Sequence, residues 1–242
     1  MNKRETSYKY PKWIKQSYSL EGEDRIALSL LRKRINNFDK KFFYIDVGSN
    51  DPKKYSNTYL FYKLGLRGIC IDPLPSSKKK FKHYREEDIF ENVAITENSE
   101  EIFINIYEND DASTIDPETQ DRYNSKMNLI ERRKINTLTL KKILEKNQLS
   151  EKTKIPLLSI DVEGLDYSIF KQAMQIKNRF DLIIVEDKMV NLSKSYPHSK
   201  ICSLARDNNY ILIAKTPLNS IYIDNLSSTF DWLPEIMKRK II

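Results

Sequence analysis

Histidine and cysteine are scarce in this chain, at 2 residues each among 242, and neither is spaced for metal binding or disulfide chemistry. Cys70 and Cys202 lie far apart inside apolar runs. That excludes a disulfide framework and a CxxC metal knuckle, and marks both as buried thiols of a reducing compartment. His83 sits on a basic helix and His198 in a loop, so the pair offers no zinc spacing. Glycine is rare too, at 5 residues, and the GxGxxG and GxxxxGK(S/T) spacings are absent, which disfavours a dinucleotide or a triphosphate. Without a GxSxG elbow or a Cys–His pair, covalent catalysis has no support. No apolar run reaches the ~20 residues that cross a bilayer, and Met1-Asn2-Lys3-Arg4-Glu5 leads into no apolar signal core. The expectation is a soluble, cytoplasmic protein with no transmembrane segment.

What is present is an ordinary globular composition, 40% hydrophobic and 31% charged, long enough for one α/β domain with additions. The net charge of +7 is partly local, in Lys78-Lys79-Lys80-Phe81-Lys82 and Glu131-Arg132-Arg133-Lys134. These runs read first as solvated faces, and second as a surface for an anionic substrate, a membrane or nucleic acid.

The chain is organised around Phe42-Phe43-Tyr44-Ile45-Asp46-Val47-Gly48-Ser49-Asn50-Asp51-Pro52, a short apolar run into an acid, a glycine and a polar turn. Such a run reads as a strand buried on both faces of a parallel sheet, and Gly48 permits a sharp turn and close approach of a ligand. A helix over residues 57–65 and a second buried strand, Arg67-Gly68-Ile69-Cys70-Ile71-Asp72, follow. Further strands are expected at 91–96, 101–107, 155–161, 181–187, 210–214 and 220–223, with 101–107 antiparallel or at an edge. Helices are expected at 25–34, 76–84, 138–147, 166–177, 199–209 and 230–240. Residues 1–16 read as a basic arm, 17–242 as a single domain, and the polar stretch 109–133 as a lid or substrate loop. Strand–helix alternation signals a doubly wound, mostly parallel sheet, whose ligands bind at the carboxyl ends of the strands.

The acids fall at those ends. Asp46 and Gly48 after the first strand, with Asp72 after the second, form a nucleoside-binding pattern in which Asp72 can accept both ribose hydroxyl hydrogens. An adenosine without phosphates fits this edge. Asp161, Glu186 and Asp187 form a second constellation. Carboxylates are kept together mainly for a cation or a proton. Three readings stay open: a Mg²⁺ site, Asp161 as a general base without metal, and a helix cap beside solvated loop acids. Tyr55, Tyr59 and Tyr62 are assigned to core and helix surface.

At these residues the chain resembles the FkbM-type methyltransferases, which use S-adenosylmethionine. The resemblance runs from Ser17-Tyr18-Ser19-Leu20-Glu21-Gly22-Glu23-Asp24, through Tyr44–Asn50, Ser56–Leu60 and Gly68–Pro73, to Leu158–Asp166. It implies a Rossmann-like class I methyltransferase fold, a seven-stranded sheet with helices on both faces and its last two strands at the antiparallel end. It implies that Asp46, Gly48 and Asn50 line the methionine and sugar part of S-adenosylmethionine, that Asp72 takes the ribose, and that Asn92 and Val93 flank adenine. It further implies O-methyl transfer to a hydroxyl, often of a sugar or glycan, and a likeness of Asp161, Glu186 and Asp187 to the metal site of Mg²⁺-dependent O-methyltransferases. One departure is Asn50-Asp51-Pro52, where many methyltransferases carry another glycine. The competing expectation is a nucleic-acid-associated protein, or an RNA hydroxyl methyltransferase, using the basic surface; the absence of an RNP-type motif counts against it.

Overall fold

The computed structural model describes residues 16–36, 38, 41–98, 101–108, 113–188, 199–231 and 233. The arm at 1–15, His198, residues 109–112 and most of the expected terminal helix lie outside the described residues.

Strands β1 (Tyr44–Val47), β2 (Gly68–Ile71) and β3 (Ile89–Glu91) pair in parallel with one another. On the other side of β1 come β7 (Ile155–Ile160) and β8 (Phe180–Glu186), also parallel. Strand β10 (Asn219–Asp224) then runs antiparallel, between β8 and the edge strand β9 (Tyr210–Lys215). The sheet therefore reads β3-β2-β1-β7-β8-β10-β9, and its order reverses between β1 and β7. Of these seven strands, β10 alone opposes the common direction.

The central strands are buried along their whole length, which is why their sequences are continuously apolar. Their side chains alternate between two cores. Ile45 and Val47 of β1, Ile69 and Ile71 of β2, and Ile183 and Val185 of β8 meet helices α5 (Leu140–Lys146), α6 (Asp166–Gln175) and α7 (Lys200–Asp207). Tyr44, Cys70, Leu182 and Ile184 meet α1 (Glu23–Asn36), α2 (Tyr59–Lys63) and α3 (Pro75–Tyr84) on the opposite face. Thr139 caps α5 by accepting from the Lys142 amide, and Ser199 caps α7 by accepting from Cys202.

Three expectations change. The stretch 91–96 is not one strand: β3 ends at Glu91, and β4 (Ala94–Ile95) joins a second, smaller sheet. The break is fixed by Asn92, whose side-chain amide donates to the carbonyls of Asp72 and Leu74. The small sheet reads β4-β6-β5, with β5 (Glu101–Tyr107) antiparallel to the long β6 (Leu129–Leu138). Residues 113–133 hold the helix α4 (Pro117–Asn124) and the start of β6 rather than an irregular connection. Helix α2 is shorter than its sequence suggests, because Thr58 gives its hydroxyl to Asp46 instead of capping the helix.

Candidate active site

A cavity of about 290 Å³ opens at the carboxyl ends of the parallel strands, between the two sheets. Val47 to Asp51 follow β1 into it, Asp72 follows β2, Val93, Ala94 and Ile95 cross to the small sheet, and Asp161 and Glu186 come from the ends of β7 and β8. This is the crevice that a switch in strand order creates, since the connections from β1 and β7 leave in opposite directions. One cavity thus brings together Gly48, Asn50, Asp72, Val93, Asp161 and Glu186 from the expected set.

Asp72 is buried, and its two carboxylate oxygens accept from the amides of Leu74 at 2.9 Å and Asn50 at 3.0 Å. Burial pushes its carboxyl up to about 6, against the opposing pull of these N–H groups and Ser77. The carboxylate keeps acceptor capacity for a donor arriving from the cavity. Gly48 has φ +82°, and a Cβ built there would stand 1.7 Å from the Asp161 carbonyl oxygen. The close approach that glycine permits is therefore that of the β7 strand end, not only that of a ligand.

Two expected cofactor residues are placed differently. Asp46 points from β1 into the opposite core, where the Thr58 hydroxyl donates to it at 2.5 Å. Burial raises its carboxyl, while Arg85, Thr58 and Ser159 pull it back. Arg85 is itself buried, paired to Asp88 at 2.7 Å and donating to Thr58 at 3.0 Å, and the Tyr44 hydroxyl donates to Asp88 at 2.8 Å. Asp46 thus belongs to a polar network under the sheet that ties β1 to the 52–58 loop. Asn92 supports Asp72 from behind, through the Asp72 carbonyl, while Val93 reaches the cavity wall. Tyr55, assigned from sequence to the core and helix surface, is half exposed at the cavity mouth with φ +58°.

The acid rim also differs from expectation. Asp161, Glu163 and Glu186 each bring a carboxylate oxygen within 4.8 Å of the others. Asp187 does not join them. Successive residues of an extended segment face opposite ways, and Asp187 accepts from Ser199 at 2.7 Å and Ser220 at 3.4 Å on the far side of the strand end. Its place is taken by Glu163, whose backbone is held at φ +54° because Asp166 accepts from the amides of Val162 and Gly164 on either side. Tyr123 of α4 donates its hydroxyl to Glu163 at 2.9 Å. Burial and then the neighbouring Glu186 push the Asp161 carboxyl well above the usual range, and burial with Glu163 raises Glu186. Lys188 lies among them, its ammonium 2.7 Å from Glu186 and 3.7 Å from Glu163. Sequence patterning does not single out Glu163 or Lys188, although both flank acids that it does.

The Ser17–Asp24 segment acquires a role here. Asp24 accepts from Ser17, the Tyr18 amide and Ser19, which folds the segment onto the start of α1. Glu23 accepts from the Thr216 hydroxyl at 2.7 Å and the Asn219 amide at 2.9 Å, and Glu21 from the Leu218 amide at 3.1 Å. These bonds clamp the β9–β10 turn so that Leu20, Leu218 and Asn219 wall the cavity beside Glu186.

Residues 46–212, more than half of the chain, match the family model of the methyltransferase FkbM domain. No curated protein and no solved structure matches the chain.

Proposed function

Because the chain belongs to the FkbM methyltransferase family, we propose that it moves a methyl group from S-adenosylmethionine to a hydroxyl of a sugar or glycan acceptor. The observation that carries this reading is the shared cavity. The buried carboxylate of Asp72 and the acid rim of Asp161, Glu163 and Glu186 open onto the same space from strand ends on either side of β1.

The residues present suit an adenosyl group. Asp72 offers its remaining lone pairs to the ribose hydroxyls, and Val93 and Ile95 give an apolar wall for a base. Asn50 has its backbone amide fixed on Asp72 and lines the same cavity, where it would meet the methionine part. Asp46 would act from beneath, holding the β1 end and the 52–58 loop in place rather than touching the cofactor.

S-adenosylmethionine supplies, when bound, an electrophilic sulfonium methyl. With an acceptor hydroxyl held at the rim, the Asp161 carboxylate would take its proton as the hydroxyl oxygen receives the methyl group. Burial among like charges makes Asp161 a stronger base than an exposed aspartate. Holding both reactants in line supplies much of the acceleration. Ser113, Thr114 and Ile115, just before helix α4, line the cavity, and this stretch would help to exclude water. The Mg²⁺ expected on Asp161, Glu186 and Asp187 does not suit the arrangement found, because Asp187 faces away and the Lys188 ammonium already stands against Glu186.

Calorimetric titration of S-adenosylmethionine into cofactor-free protein tests the reading. Micromolar binding that Asp72→Ala abolishes in a folded variant is expected, followed by methyl transfer in a screen of hydroxylated glycans. No binding by a folded, cofactor-free protein overturns it.

A further inference from the structure

The acid rim carries more negative charge than a partly buried site holds without compensation. Three carboxylates within 4.8 Å of one another repel strongly where solvent screening is incomplete. The structure provides the compensation from within. Lys188 follows β8 by two residues and folds back, so its ammonium stands 2.7 Å from Glu186 Oε1 and 3.7 Å from Glu163 Oε2. Its side chain is 45% exposed against 10% for Glu186, so the charged head reaches inward along the strand end from the cavity mouth. Glu163 Oε2 is shared with the Tyr123 hydroxyl, which fixes where that carboxylate can turn.

We infer that Lys188 is the resident cation of the acid rim: its ammonium takes the position a divalent ion would occupy, and the acceptor end of the cavity works without a bound metal. The word acceptor rests on the methyltransferase reading; the placement of the lysine does not. A divalent ion bound to Glu186 and Glu163 would need their oxygens at about 2.0–2.6 Å and would lie against the ammonium, so it could enter only by expelling it. An ammonium differs from a metal in what it does next. It is a point charge with directed donors, so it orients Glu186 by hydrogen bonding at 2.7 Å, holds Glu163 by charge at 3.7 Å, and leaves proton removal to Asp161. Lys188 is thus a positioning residue for the rim.

Mn²⁺ titration, read by electron paramagnetic resonance, of the wild type, Lys188→Met, Lys188→Arg and the Lys188→Met/Glu186→Gln double variant tests this. The wild type and Lys188→Arg are expected to show no saturable site, while Lys188→Met gains Mn²⁺ affinity by at least about tenfold and the double variant loses that gain. Circular dichroism and melting curves show that each variant is folded. A saturable Mn²⁺ site of equal affinity in the wild type and Lys188→Met overturns the inference, because the rim would then be a metal centre despite the lysine. A folded Lys188→Met that gains nothing overturns it as well, because the lysine would then not be holding a cation's place. Titrating S-adenosylmethionine into the same samples separates the two readings. A Lys188-dependent Mn²⁺ gain in a protein that does not bind S-adenosylmethionine supports the lysine's role while overturning the methyltransferase proposal.

Discussion

At the scale of single residues, Asp72 and Gly48 set the terms of the site. Asp72 has a carboxyl raised to about 6 by burial in the ligand-free protein. Ribose hydroxyls would donate to its ionised form, so ligand binding requires the proton to leave. S-adenosylmethionine affinity is therefore expected to hold above about pH 6 and to fall roughly tenfold for each pH step of one below it. Titration between pH 5 and 8 reads this, and a flat profile would remove Asp72 from the contact. Gly48 makes a different demand. An alanine Cβ would overlap the Asp161 carbonyl at 1.7 Å in a backbone with φ +82°. Gly48→Ala should cost at least about 3 kcal/mol, the class of strain that leaves the long tail of mutational effects, and should appear as a large drop in melting temperature. The DVGSN stretch announces itself in the sequence through its apolar run and its glycine. That Gly48 serves strand packing is not legible there, because Asp161 approaches it from more than a hundred positions away along the chain.

The elements that finish the site are the harder ones to read. The Ser17–Asp24 segment shows only polar residues before a helix, yet it clamps the β9–β10 turn through Glu21 and Glu23. Burial works to raise the Glu23 carboxyl, but the bonds from Thr216, from backbone amides and from Asn219 outweigh it and hold it low. Glu23→Ala would leave Thr216 and Asn219 without this acceptor, at a cost of roughly 2–3 kcal/mol in urea denaturation. It should also raise amide exchange across residues 216–219; an unchanged turn would mean that the clamp is dispensable. Helix α4 reads as part of a loop because its segment is polar and weakly periodic. Its packing is polar as well: a Cβ at Gly164 would meet Asp116 and Thr119 at 2.8 Å, and Tyr123 holds Glu163 by its hydroxyl. Hydrophobic periodicity cannot announce a helix docked through hydrogen bonds.

Across the whole molecule, burying acids beside a cavity leaves a mark on stability. Asp72, at about 6, and Asp166, at about 7, are both raised above their usual value chiefly by burial. The native state then binds more protons than the unfolded chain between about pH 4 and 7, so stability falls as pH rises through that window and levels off above it. A tenfold change in proton affinity is worth about 1.4 kcal/mol, so Asp72 accounts for an effect of about 3 kcal/mol and Asp166 for one of roughly 4–5 kcal/mol. Glu23, held low, contributes the opposite trend, lost only as pH falls below its usual range. Melting temperature of the ligand-free protein should therefore peak on the acid side of neutrality, and a peak at pH 8 or above would contradict the burial of these acids as charged groups. The sequence by itself determined the α/β class, the buried strands, the acids at their ends and the family, because these rest on local patterning of a few consecutive residues. Only the tertiary structure decided which acids meet: it turned Asp46 under the sheet, sent Asp187 to Ser199, and brought Glu163 and Lys188 to the rim. The direction of a side chain at a strand end depends on the turn that follows and on the elements packed over it, and those contacts join residues far apart in the chain.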